Sequence, residues 1–201
     1  FNISLYKNKK ILNMKNKLIE KPTLISDLNL DNIGQYLLFD EICQNSAKQF
    51  CTYLLKANTL NIDVNMFINS PGGSCTAGFA IVDFMEASRV KVNTRAIGQI
   101  CSMGFIIFIA GEKGKRLMSP NTTIMSHNFT GGSWGKAHEL FARNDHFKEL
   151  NERCIAHYLK HTTCTKKQIK EMFLGTTDLY LTPKECLKYG ICDKIADPWE
   201  V

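Results

Sequence analysis

The stretch Asp63-Val64-Asn65-Met66-Phe67-Ile68-Asn69-Ser70-Pro71-Gly72-Gly73-Ser74 decides how the chain is read. Residues 63–68 have the apolar content of a short strand, and the Ser70 to Ser74 run breaks it abruptly. From Thr76 to Ser88 the apolar residues return at helical spacing. A strand that passes through a glycine turn directly into a helix is half of a crossover unit, which points to an α/β layered domain.

The same signature recurs along the chain. Lys91–Ala96 reads as a strand, Gly98 as a turn and Met103–Ala110 as an apolar helix. Thr123–Ser126 is a further strand, closed by Gly131-Gly132. Upstream, Ala47, Phe50, Cys51, Leu54 and Leu55 give residues 45–57 the pattern of an amphipathic helix. Ala137–Lys160 is the longest helical segment, and Lys166–Phe173 adds another. Pro183 and Gly190 frame a short helix before the strand Ile191–Ile195. Residues 1–24 are the least patterned and are expected to form an N-terminal arm, with 25–201 as the folded domain.

Composition narrows the function. With 44% hydrophobic and 22% charged residues in 201, the chain has an ordinary globular mix, which excludes wholesale disorder. The net charge of +6 is mild, and Lys7, Lys9, Lys10, Lys15 and Lys17 are not interleaved with aromatic stacking residues. They read as a solvated face, and no nucleic acid is expected as partner. The longest purely apolar run, Phe105 to Ala110, is six residues, whereas a membrane span takes about 18. No membrane contact is expected. Eight cysteines occur without any C-x-x-C pair, a pattern of free thiols in a reducing compartment. His157 and His161 are spaced i, i+4, but no carboxylate or cysteine stands beside them at ligand spacing, so no metal is expected. The chain starts at Phe1, from which removal of an upstream leader is expected.

Three turns carry the candidate chemistry. The Gly72-Gly73 turn opens a helix and leaves backbone N–H groups facing outward, suited to a phosphate or an oxyanion, or to neither. It lacks the lysine of a P-loop. Ser102, in Gly98-Gln99-Ile100-Cys101-Ser102-Met103-Gly104, stands at a helix start, and by itself it reads as an N-cap. Ile100 breaks the G-x-S-x-G elbow, while Gly104 suggests close approach of a substrate backbone. His127 follows the strand ending at Ser126, where α/β proteins place catalytic groups. A glycine nest, a serine and a histidine in this order point to acyl transfer.

These residues resemble the ClpP family, the proteolytic subunits of ATP-dependent Clp proteases. The resemblance rests on Ile68 to Ser74, on Gly98-Gln99-x-x-Ser102-Met103-Gly104, and on Ala110-Gly111-x-Lys113-Gly114-Lys115-Arg116. Pro120-Asn121, Met125-x-His127, Thr182-Pro183-x-Glu185 and Tyr189-Gly190 continue it in the family's order, across roughly residues 35–197. It implies an α/β, ClpP/crotonase-like layered fold with an inserted handle helix at about 133–175. Ser102 matches the family's nucleophile, His127 its general base and Asp178 the triad aspartate. Gly73 and Met103 match the oxyanion-hole donors. Phe129, Thr130, Gly131, Gly132 and Ser133 match the segment against which a peptide is laid by strand addition.

The implied partners are self or ClpP-type subunits in seven-membered rings, an AAA+ Clp unfoldase and unfolded polypeptides. No cofactor is implied, since ATP is used only by the unfoldase. The chain also departs from the family. Asn128-Phe129 replaces Gln-Pro, Thr177 and Leu179 replace the arginines flanking the aspartate, and a small insertion lies between Ile169 and Asp178. Asn65 and Ala87 stand where larger apolar residues are usual. Such departures resemble ClpR, a weakly active or non-catalytic structural paralogue of mixed rings. With the lysine- and asparagine-rich composition they suggest a plastid-type, apicoplast-like organelle. A crotonase-type acyl-CoA enzyme would share the fold but has no use for the serine–histidine pair. The insertion is expected to hold Asp178 outside hydrogen-bonding distance of His127.

Overall fold

Helix patterning and strand register together set the architecture, which the computed structural model describes for residues 34–128 and 134–200. In chain order the elements are β1 (Gln35–Leu38), α1 (Gln44–Leu60), β2 (Val64–Ser70), α2 (Cys75–Glu86), β3 (Val92–Cys101), α3 (Met103–Ile109), β4 (Leu117–Met118) and β5 (Thr123–Ser126). Then follow α4 (Ala137–His161), α5 (Lys166–Gln168) with a π turn (Ile169–Phe173), β6 (Leu179–Leu181), α6 (Pro183–Lys188) and β7 (Lys194–Ile195). The N-terminal arm and the segment from Phe129 to Ser133 lie outside the described residues.

The expected α/β layering is present. Strands β1-β2-β3-β4-β7 run parallel, while β5 lies parallel to β3 and carries β6 antiparallel. β3 serves two neighbours in succession: Arg95 and Ala96 pair with β4, and Gln99 to Cys101 pair with β5. Between the two stretches Gly98 sits at φ +66, where a Cβ would lie 2.9 Å from Asn69 Oδ1. The register against β2 shifts at the same place. The expected strand Lys91–Ala96 is therefore too short, and the Gly98 turn is a bulge inside one long strand.

α1 buries Ala47, Phe50, Tyr53, Leu54 and Ala57 on one face and stops at Asn61, whose left-handed φ of 54 closes the helix. All seven residues of α3 are buried, with Phe105, Ile107, Phe108 and Ile109 fully enclosed. Each such side chain contributes about 1.5–3 kcal/mol of burial free energy. α4 behaves differently along its length: its buried residues begin at Leu150, whereas Leu140 and Phe141 are exposed. Its first half therefore carries no buried side chain. The handle is not one helix over 133–175, because residues 162–165 separate α4 from α5. The strand expected at Ile191–Ile195 is confined to Lys194–Ile195.

A buried ion pair joins the C-terminal elements to the sheet. Arg116 gives Nε and Nη2 to the Asp193 carboxylate, and its Nη1 to the His161 carbonyl at 2.6 Å. Burial would raise the Asp193 carboxyl, but the hydrogen bonds and charge of Arg116 and the Gly114 N–H hold it below its ordinary value. All eight cysteines are free thiols. Burial pushes Cys154 up to about 12, so it is inert as a thiolate nucleophile.

Candidate active site

Ser102 stands between the last residue of β3 and the first of α3 with φ 52 and ψ −120, a conformation that costs a non-glycine residue free energy. Its surroundings enforce it. The Ser102 N–H donates to Met125 O at 2.9 Å, and the Ser102 carbonyl accepts from Phe105 N and Ile106 N. Gly72 covers the other side, where a Cβ would lie 2.7 Å from both Cys101 O and Ser102 Cβ. The side chain makes no capping bond. Ser102 occupies the N-cap position without acting as a cap, and its Oγ lies 2.9 Å from His127 Nε2 instead.

Gly104 has a different role from the expected one. A Cβ there would meet Ser70 Cβ at 3.2 Å, so the glycine permits α3 to pack closely on β2 and does not open a path for substrate.

His127 follows β5 directly, and the end of that strand is fixed by its neighbour. Ser126 Oγ is 2.7 Å from Tyr158 OH on α4 and donates to Phe173 O at 2.7 Å in the π turn. Sequence reasoning missed Ser126, Tyr158 and Phe173. No local signal reveals them, because each acts through a contact across more than thirty residues.

Asp178 reaches the site through register. β6 pairs antiparallel with β5, with Ser126 opposite Leu179, and the next positions outward are His127 and Asp178. Asp178 Oδ1 lies 3.8 Å from His127 Nδ1, an ion-pair distance longer than a hydrogen bond, and its side chain is 53% exposed. The π turn precedes this segment, with Leu174 N donating to Ile169 O five residues back. A π turn holds one more residue than an α turn.

Met103 follows Ser102 directly, and Gly73 follows Gly72, the glycine that abuts the serine. Gly73, at φ +143, forms a parallel bridge with Ile42, and a side chain there would strike the Ile42 carbonyl. The bridge uses Gly72 O and Ser74 N–H. The Met103 N–H, in the first turn of α3, has no carbonyl four residues back within its helix. Beside Ser102 and His127, the side chains of Met103, Ile106, Cys154 and Leu174 wall a small, largely apolar cavity of about 20 Å3. Phe129, Thr130, Gly131, Gly132 and Ser133 lie outside the described residues.

A strained serine, a histidine in hydrogen-bond contact and a carboxylate on the far side of the ring form a nucleophile–base–orienter constellation. Comparison with known proteins agrees with this chemistry. The family model for Clp protease matches residues 23–198. An ATP-dependent Clp protease proteolytic subunit of Deinococcus radiodurans is 34% identical over 145 residues, covering 72% of this chain and 70% of the relative.

Proposed function

Because the chain belongs to the Clp protease family and is a Clp-type serine protease subunit, we propose that it hydrolyses peptide bonds through an acyl-enzyme on Ser102. The carrying observation is the 2.9 Å contact between Ser102 Oγ and His127 Nε2. As Ser102 Oγ attacks the scissile carbonyl, His127 Nε2 takes its proton and passes it to the leaving amine. The oxyanion is received by the N–H groups of Gly73 and Met103. Water, deprotonated by the same imidazole, releases the acyl group and restores Ser102. Asp178 stabilises the imidazolium across a gap, which limits its contribution.

The substrates proposed are unfolded polypeptides laid as an added strand along residues 129–133. The subunit works in a seven-membered ring with itself or ClpP-type partners, fed by an AAA+ Clp unfoldase that alone uses ATP. The family membership supports this assembly. The lysine- and asparagine-rich composition supports a plastid-type organelle as its location. A second reading, a ClpR-like subunit that contributes little cleavage, is favoured by the separation of 3.8 Å between Asp178 and His127. Reaction with a fluorophosphonate probe separates the two. Labelling that disappears in Ser102→Ala supports a working nucleophile, and absence of labelling in the assembled ring supports the structural subunit. Native mass spectrometry of the chain, alone and with ClpP-type subunits, tests the ring.

A further inference from the structure

Away from Ser102, the fold brings a distant carboxylate to a pair of histidines already spaced i, i+4 on one helix. Glu86 ends α2, and His157 and His161 occupy successive turns of one face of α4. One ligand atom from each of the three lies within 4.8 Å of the other two. The two imidazoles are 4.4 Å apart between ring centroids, and His161 Nε2 is 3.1 Å from Glu86 Oε1. We propose that Glu86, His157 and His161 form a binding site for a divalent transition-metal ion of the zinc class, clipping the end of α2 to the root of the handle.

The donor set is that of a His2Glu site, with two imidazole nitrogens, one carboxylate oxygen and a fourth position left for water. His157 carries a feature expected of a metal ligand. Its Nε2–H donates to Ile106 O at 2.8 Å, which fixes the ring and leaves the lone pair on Nδ1 to give. The ring is buried, so the proton that competes with a metal is already disfavoured. Burial, and then the nearby His161, push its pKa down to about 4. Burial likewise lowers His161, against the opposing pull of Glu86. Glu86 is held ionised by Lys160 and His161 although burial works the other way.

Lys160 Nζ sits 2.6 Å from Glu86 Oε2. That oxygen is committed, so the carboxylate would bind through Oε1 alone. The ion would enter between Oε1 and His161 Nε2 in place of the hydrogen bond now joining them, and a modest closure of α2 on α4 brings Nδ1 of His157 into range. Lys160 and Arg116 are the cations facing the cluster. They weaken the site relative to an all-anionic one and favour a ligand-bonding ion such as Zn2+ over Ca2+ or Mg2+.

The test uses the full chain with Zn2+ in calorimetry and Co2+ as a spectroscopic stand-in. One ion per chain is expected, with the visible d–d bands of a tetrahedral nitrogen–oxygen site and no thiolate charge-transfer band. His161→Gln and Glu86→Gln should each weaken binding by at least about 100-fold. Both positions are partly exposed, and the contact of Arg116 to residue 161 is to its backbone carbonyl, so these variants keep the fold. His127→Gln should bind as the parent does. Circular dichroism confirms folding before each titration. Unchanged binding in both site variants, a thiolate band, or no uptake by the folded parent would each overturn the proposal.

Discussion

Replacing Asp178 by Asn removes a negative charge 3.8 Å from His127 Nδ1. In a fully engaged triad the same change costs about 10,000-fold in kcat, because the aspartate's hydrogen bond selects the working tautomer. At this distance there is no hydrogen bond to lose. What remains is Coulomb attraction to the imidazolium that forms as Ser102 gives up its proton. At 3.8 Å that attraction is about 1 kcal/mol in water and about 4 kcal/mol at an effective dielectric of about 20. With the Asp178 side chain 53% exposed, solvent screening selects the lower end, about 1–2 kcal/mol, or a loss of about 5- to 30-fold. The assay is kcat/KM on a fluorogenic peptide, parent against Asp178→Asn, with Ser102→Ala as the blank. The parent, measured as an isolated subunit, should itself turn over about a hundredfold below a subunit whose triad is fully engaged. A loss near 10,000-fold on substitution would refute the reasoning, since it would require an intact hydrogen bond in the working site.

Further outcomes follow from the same geometry. Ser102→Ala should abolish fluorophosphonate labelling while chemical denaturation shows stability within about 0.5 kcal/mol of the parent, because the hydroxyl makes no capping bond. Ser102→Gly should be equally inactive yet more stable by about 1 kcal/mol, since glycine accepts φ 52 without strain. Tyr158→Phe removes the hydroxyl 2.7 Å from Ser126 Oγ and should cost about 1 kcal/mol in denaturation, lowering kcat with KM little changed. Asp193→Asn leaves Arg116 buried beside a neutral partner and should cost about 3 kcal/mol, read as a fall in Tm. The Asp193 carboxyl is held below its unfolded value, so its contribution is present above about pH 4 and is lost as pH falls through the folded-state value. The acid-side fall of Tm should accordingly be shallower in the variant.

Legibility depended on how local the cause was. β2, β5 and α3 stood out because their apolar runs end at glycine, serine or histidine turns within a few residues. β1, of four residues, and β4, of two, are too short to show alternation and exist because neighbouring strands recruit them. The bulge at Gly98 was hidden because a glycine that turns the chain and one that kinks a continuing strand look alike in sequence. Ser102 and His127 were legible as types in an order, but the backbone strain on the serine was not. The gap at Asp178 agrees with the expectation that it stands outside hydrogen-bonding distance of His127, although the π turn before it carries no sequence signature. Glu86 illustrates the limit. It stands 75 residues from His161, and only the packing of α2 on α4 makes them neighbours.

The complete enclosure of α3 has a kinetic corollary. Amides in a helix with every residue buried exchange with solvent only when the whole domain opens, whereas a residue such as Asp178, outside the strand it precedes and with its side chain half exposed, exchanges through small local excursions. The serine is thus anchored to the last unit to melt and the carboxylate to one of the first. In the proposed mechanism the contribution of Asp178 is then free to lapse and return on the timescale of local fraying while Ser102 keeps its native frame. A neighbouring molecule that pins the residues around Asp178 would raise the population of the competent state without touching Ser102.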